Sequence, residues 1–159
     1  MKKTVYITQA SIIAAMYAAL TYLLAPISYG PLQIRVSEAL TILPFFTPAA
    51  IPGLFIGCLT ANILGPNGLA DIIAGSCATL IAAVISRHIS RKWLVPLPPV
   101  LVNTVIIGLM LSYITKTPVF LAMLYIFAGQ TISCYGLGYP LMLLLSRNRD
   151  KIFGKLAGK

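Results

Sequence analysis

Residues 69–89 read LADIIAGSCATLIAAVISRHI, a run whose formal charges are Asp71 near one end and Arg87 near the other. A membrane-spanning helix uses about 20 mostly apolar residues. This segment is therefore long enough to cross a bilayer and too poor in charge for the surface helix of a soluble domain. Its flanks agree. Gly65-Pro66-Asn67-Gly68 ahead of it is the strongest turn signal in the chain. Behind it, the basic cluster Arg87, His88, Arg91 and Lys92 closes the run, with Trp93 where an interfacial aromatic would lie.

Working outward, further apolar runs follow the same pattern. Upstream, a run from about Ala49 to Leu64 abuts the turn. Before it, Ser37 has the chemistry of a helix N-cap, with Glu38 in the first turn where a carboxylate suits the helix dipole. That helix meets Pro48 and Pro52 after roughly 12 residues, which at about 1.5 Å each cannot cross a hydrocarbon core of about 30 Å. The second span is thus short or broken. The first runs from about Tyr6 to Ala25, ended by Pro26 and the turn chemistry up to Pro31. Downstream, Pro96, Pro98 and Pro99 open a run to about Thr115. Lys116-Thr117-Pro118 leads into a last one, about Val119 to Ser146, long enough to tilt.

The whole chain fits this reading. It has 159 residues, 58% of them hydrophobic and 9% charged, with a mean hydropathy of +0.91. A soluble enzyme with about a quarter of its residues charged is excluded. The prediction is an all-α integral membrane protein of six transmembrane helices, one unit over residues 1–159, with the lipid bilayer as its main solvent. Twelve basic against three acidic residues read here as topology, not as a nucleic-acid surface, because cytoplasmic loops carry such an excess. With both termini cytoplasmic, Lys2, Lys3, Arg87, Arg91, Lys92, Arg147, Arg149, Lys151, Lys155 and Lys159 lie inside, and Arg35 and Lys116 outside. The run behind Lys2 and Lys3 continues too long, without a clear cleavage signal, for a removable signal peptide. Cys58, Cys77 and Cys134 lack metal-ligand spacing and read as buried small hydrophobes.

No zinc-helix signature, phosphate-cradling glycine loop or nucleophile elbow occurs, so catalysis, metals and cofactors are not expected. The ionisable and amide groups at membrane depth point to binding or transport. Gln33, Arg35, Glu38, Asn62 and Asp71 gather toward the outer mouth. Arg35 and Glu38, three residues apart, can pair on one helix face if the helix begins early enough, which would serve a ligand or merely anchor the helix start. A Glu38 carboxylate suits the adjacent N–H donors of a guanine-like edge or a ligand amine. Asp71 is the acid on the same mouth, or a complement to a helix dipole. Asn62 is a ligand contact or a helix-end cap. Asn103 and Gln130 are carboxamides inside spans, suited to a ligand of mixed donors and acceptors or to an interhelical hydrogen bond. Tyr29, Tyr113 and Tyr125 are weaker candidates for stacking.

The first span carries two rows of small residues, Ser11, Ala15 and Ala19 beside Ala10, Ala14 and Ala18. Such rows let another helix approach closely, inside this chain or on a partner.

Four segments, Gly30 to Leu40, Leu43 to Cys58, Leu69 to Ser76 and Pro98 to Asn103, together resemble the QueT family of queuosine-precursor transporters, the S components of energy-coupling factor (ECF) importers. The resemblance covers nearly the whole chain. It implies an S-component bundle that captures a 7-deazaguanine precursor or queuine on the outer face and delivers it inward by reorienting. An ECF transmembrane scaffold subunit and two cytoplasmic ATPase subunits would be its partners, docked on the Ser11, Ala15, Ala19 row or on Ala14 and Ala18. The loop from Pro26 to Val36 would be the lid. One departure is Gly129-Gln130, where the family pattern often has an acid, which bears on whether the ligand is cationic. Competing readings are an S component for another flat heterocyclic vitamin and a small membrane enzyme. The latter lacks the clustered acids or nucleophile–base pair it would need near the cytoplasmic face.

Overall fold

A computed structural model describes residues 3–30 and 32–148. Helix α1 spans Lys3–Leu23 and is followed by a single turn, α2, Ala25–Ser28. A 3-10 helix, Val36–Phe45, precedes α3, Ala50–Leu64, and α4, Gly68–His88. After a short 3-10 turn, Lys92–Leu94, come α5, Leu97–Thr115, and α6, Val119–Thr131. A π-helical stretch, Ile132–Gly138, joins α6 to α7, Tyr139–Arg147. Four segments are long and apolar enough to cross a membrane: Lys3–Leu23, Gly68–His88, Lys92–Thr115 and Val119–Arg147. Residues Val36–Phe45 and Ala50–Leu64 are apolar but shorter.

The sequence-based boundaries agree within a few residues, and the short second element is where Pro48 and Pro52 place it. Its form differs from the expectation. Ser37 is not the N-cap. Arg35 holds that position in an extended conformation without a side-chain cap, and the Ser37 hydroxyl shares a 2.6 Å hydrogen bond with Thr21 Oγ1. Ten residues of 3-10 helix extend about 20 Å at about 2.0 Å per residue, where an α-helix of that length would reach about 15 Å. The longer reach lets this short segment run through the middle of the bundle, with every residue from Ser37 to Pro44 buried. Runs of 3-10 helix this long are uncommon, and Arg87 helps to hold this one. Its Nη1 donates to the carbonyls of Pro44, at 3.0 Å, and Phe45, at 3.3 Å, which the helix end leaves open.

Close approaches between backbones set the rest. A β-carbon on Gly53 would come within 2.8 Å of the Ala10 carbonyl, and one on Gly57 within 2.8 Å of that of Ala14. Helices α1 and α3 thus lock together through small residues four apart, as expected where packing rather than hydrophobic expulsion drives association. One of the two small-residue rows is spent on this contact. Gly138 in the π-helical stretch also lies close to the 3-10 helix, 3.2 Å from a β-carbon to the Ala39 carbonyl. The π stretch gives no signal in the sequence, which reads as one run. Tyr17, Ile42, Leu54, Phe46 and Met142 fill the core between these elements. Gly68, φ +75°, needs the freedom of glycine at the turn before α4.

Candidate ligand-binding site

Two polar centres are built into this scaffold. The first lies at the end of the bundle where the Tyr29–Arg35 connection meets the start of α4. Arg35 Nη2 and Asp71 Oδ2 form a salt bridge of 2.8 Å, with side chains 4% and 1% exposed. The pairing of Arg35 with Glu38 that their spacing allows does not form. Arg35 has extended backbone, φ −90° and ψ 103°, so its side chain leaves the face on which Glu38 lies and crosses to α4. Tyr29 packs under the guanidinium, 5.3 Å from ring centroid to Cζ, and donates from its hydroxyl to the Ala61 carbonyl at 2.6 Å. Gly65 leaves room for that ring. Burial alone would pull the Arg35 guanidinium down, but Asp71, with Cys58, Tyr17 and Glu38, pushes it above the usual arginine value. Asn62 Nδ2 donates to the Asp71 carbonyl at 2.9 Å and to Cys58 Sγ at 3.5 Å. Asn67 Nδ2 donates to Asp71 Oδ2 at 3.2 Å.

The second centre lies within the bundle, around the 3-10 helix. Glu38 is 1% exposed, and its Oε1 accepts a 2.5 Å hydrogen bond from the Tyr17 hydroxyl of α1. Asn103 Nδ2 of α5 donates to Gln130 Oε1 of α6 at 3.0 Å. The Cys134 thiol, brought inward by the π-helical stretch, lies 3.6 Å from the same oxygen and 3.8 Å from the Glu38 carbonyl. π-helical insertions recur at functional sites, and this one turns Cys134 toward the Glu38 segment.

Buried polar atoms almost always find partners. Here Glu38 Oε2, Asp71 Oδ1, Asn62 Oδ1, Arg35 Nε, Ser76 Oγ and Ser133 Oγ have no hydrogen-bond partner in the structure. A bundle that strands three carboxylate or amide oxygens has acceptor capacity it does not use for folding.

All seven residues singled out from the sequence, Gln33, Arg35, Glu38, Asn62, Asp71, Asn103 and Gln130, are buried, none more than 3% exposed. Arg35, Asn62 and Asp71 form the first centre. Glu38, Asn103 and Gln130 belong to the second. Gln33 lies in the connecting loop, at φ 44°. The Leu32 carbonyl there rests directly against Gly129. Tyr17, Ser133 and Cys134 escape sequence reasoning. A tyrosine in the middle of a span was the available signal for Tyr17. Tyr29 joins the site, whereas Tyr113, 78% exposed, stands apart from it beside Lys116. Of the cysteines expected to be buried, Cys58 and Cys134 are, but Cys77 is exposed on α4, facing outward from the bundle. Along α1, Ala14 and Ala18 are half-buried, whereas Ser11, Ala15 and Ala19 are exposed.

Among the described residues no group of three His, Cys, Asp or Glu could hold a metal ion. The profile of the QueT transporter family matches residues 7–147. The chain belongs to the QueT transporter family. As a QueT family member with several helices of spanning length, it is a multi-pass membrane protein. A curated relative, the queuosine precursor transporter QueT of Lactococcus lactis subsp. cremoris (strain MG1363), is 42% identical over 81 residues, 50% of this chain and 47% of that protein. The match thus spans about half the length of that relative. No solved structure matches this QueT family member.

Proposed function

We propose that the chain is the substrate-binding membrane subunit of an ATP-driven ECF-type importer, taking a 7-deazaguanine precursor of queuosine, or queuine, from the outer face. The stranded acceptor Oε2 of Glu38 carries this reading. A deazaguanine offers adjacent N–H donors on one edge, and a buried carboxylate with one free oxygen is the group that wants them. Asn103 and Gln130 supply mixed donors and acceptors beside it, and the absence of an acid at position 130 favours an uncharged 7-deazaguanine over one that carries an amine. The Lactococcus lactis relative, a queuosine precursor transporter, supports the same substrate class.

In this reading the bundle crosses the membrane six times, with the four long rods joined by two short crossings, α3 and the buried 3-10 helix. Both termini face the cytoplasm. Arg87, Arg91, Lys92 and Arg147 lie toward that side, and the Arg35–Asp71 end faces out. The corresponding assignments of Lys2, Arg149, Lys151, Lys155 and Lys159 fall outside the described residues. The connection over Gly129 is the lid. Energy comes from a scaffold subunit and two ATPases, because the chain carries no nucleotide-binding motif. The Ser11, Ala15, Ala19 row is the proposed docking face, since the neighbouring row already packs on α3. Another flat heterocyclic vitamin is the second candidate ligand, served by the same carboxamides. Mass spectrometry on protein purified from cells grown in rich medium tests the reading: a co-purified 7-deazaguanine supports it, and a different bound vitamin replaces it.

A further inference from the structure

The 3-10 helix carries Glu38 in its first turn and ends on the carbonyls of Pro44 and Phe45, which the backbone leaves open. A proline is the reason. Helical spacing would serve these oxygens from the N–H groups three or four residues on: positions 47 and 48 for Pro44, positions 48 and 49 for Phe45. Pro48 has no N–H. The Thr47 N–H is taken by the Leu43 carbonyl at 3.0 Å, and that of Ala49 turns to Thr47 Oγ1 at 3.4 Å. Each donor that helical spacing offers is thus absent or spent. Arg87 Nη1, from the last turn of α4, supplies both bonds instead, and a charged donor makes them strong.

The clamp acts on more than the helix end. The segment it holds is short, continuous and buried from Ser37 to Pro44, so its two ends do not move independently. Glu38 lies about 12–14 Å from the clamped carbonyls at about 2.0 Å per residue. That end is tied to α1, through the Tyr17 hydroxyl on Glu38 Oε1 and the hydroxyl pair of Thr21 and Ser37. Relaxation of ten residues toward the α-helical rise would draw the ends together by about 5 Å. Glu38 would then leave Tyr17. We propose that Arg87 is a positioning residue for ligand binding: by clamping the far end of the 3-10 helix from α4, it holds Glu38 against Tyr17 with Oε2 left free for the ligand. The inference rests on the function proposed above where affinity is concerned, whereas the link from Arg87 to the Tyr17–Glu38 bond stands without it.

Two double-mutant cycles test this. Residues this far apart with no shared partner normally give effects that combine to within about twofold. In calorimetry with 7-deazaguanine, Arg87→Met should raise Kd about tenfold, the loss expected when a hydrogen bond to a charged group is misplaced. In the Glu38→Gln protein the same change should raise it less than about twofold, because the carboxylate that Arg87 positions is gone. The second cycle needs no ligand. Tyr17→Phe should lower the thermal unfolding midpoint of the parent and leave that of the Arg87→Met protein nearly unmoved, since the bond it deletes is already broken there. Arg87→Lys keeps the charge without the guanidinium fork. It should lie between parent and Arg87→Met in both cycles, and it replaces Arg87→Met if that variant does not fold. A parental Kd in the Arg87 variants, an equal rise in both Glu38 backgrounds, or an undiminished Tyr17→Phe shift each overturns the proposal and leaves Arg87 a local cap. If the parent fails to bind 7-deazaguanine, the ligand reading falls, and the thermal cycle alone decides the link.

Discussion

The carbonyl of Leu32 lies so close against Gly129 that no β-carbon fits between them. The loop is thereby seated on α6 at the one residue type that lets backbone meet backbone. Gly129→Ala should push the loop off its seat while leaving the helices in place. We expect a protein of near-parental thermal stability that releases ligand faster, by about tenfold, as measured by displacement of bound ligand. Unchanged release would show that the loop does not retain the ligand.

Glu38→Gln keeps the shape of the side chain and removes its charge. Its stranded oxygen is replaced by a weaker acceptor or by a donor, and binding should weaken by about 1.5–3 kcal/mol, the value of a hydrogen bond to a charged group. Calorimetric titration gives the number directly. Parental affinity in the folded variant would assign Glu38 to structure alone.

Arg35 and Asp71 allow fold and ligand to be separated. Arg35→Ala leaves a buried carboxylate without its counter-charge and should cost about 3–5 kcal/mol of stability. Replacing both, as Arg35→Met with Asp71→Leu, removes the unpaired charge and should recover most of that loss in thermal unfolding. If the pair also orients the lid, ligand affinity stays low in the double variant. Recovery of both properties would mark the pair as structural.

The two small-residue rows predict opposite outcomes for the same substitution. Ala14→Leu forces a branched side chain into the seam with Gly57 and should destabilise by about 1–3 kcal/mol. Ala15→Leu points away from that seam, so ligand binding by the isolated protein should persist while ATP-driven uptake in vesicles, reconstituted with scaffold and ATPases, is lost. Uptake by the single chain on an ion gradient would refute the proposed coupling.

Orientation is read by cysteine labelling from outside in a cysteine-free background. Residues of the 65–68 turn should react and those of the 87–92 segment should be protected. The reverse pattern would invert the membrane placement and with it the outer mouth.

The long rods were legible because hydropathy over a span is an additive property of the residues in it, and Pro and Gly mark its ends. The polar residues were legible one by one, since each is expensive at membrane depth. Their partners were not. Spacing along the chain favours Arg35 with Glu38, but the extended backbone at Arg35 sends the guanidinium across to a residue far along the sequence. The 3-10 form of Val36–Phe45 and the π turn at Ile132–Gly138 are equally silent in the sequence, because both are answers to packing: one segment must reach further than an α-helix, and the other must open to meet it. Tyr17 looked like one more aromatic in an apolar run until Glu38 was placed beside it.

Helix α1 touches the buried carboxylate with one side and presents Ser11, Ala15 and Ala19 on another. Tyr17 and Ala15 are about 200° apart around the helix, at 3.6 residues per turn, so the hydroxyl that holds Glu38 and the bare strip belong to nearly opposite faces of a single rod. Thermodynamic reciprocity then applies. Any body that grips the strip and shifts the rod alters the affinity of the Glu38 site by some factor, and an occupant of that site alters the grip by the same factor. One stiff helix is in this sense both the handle and the latch.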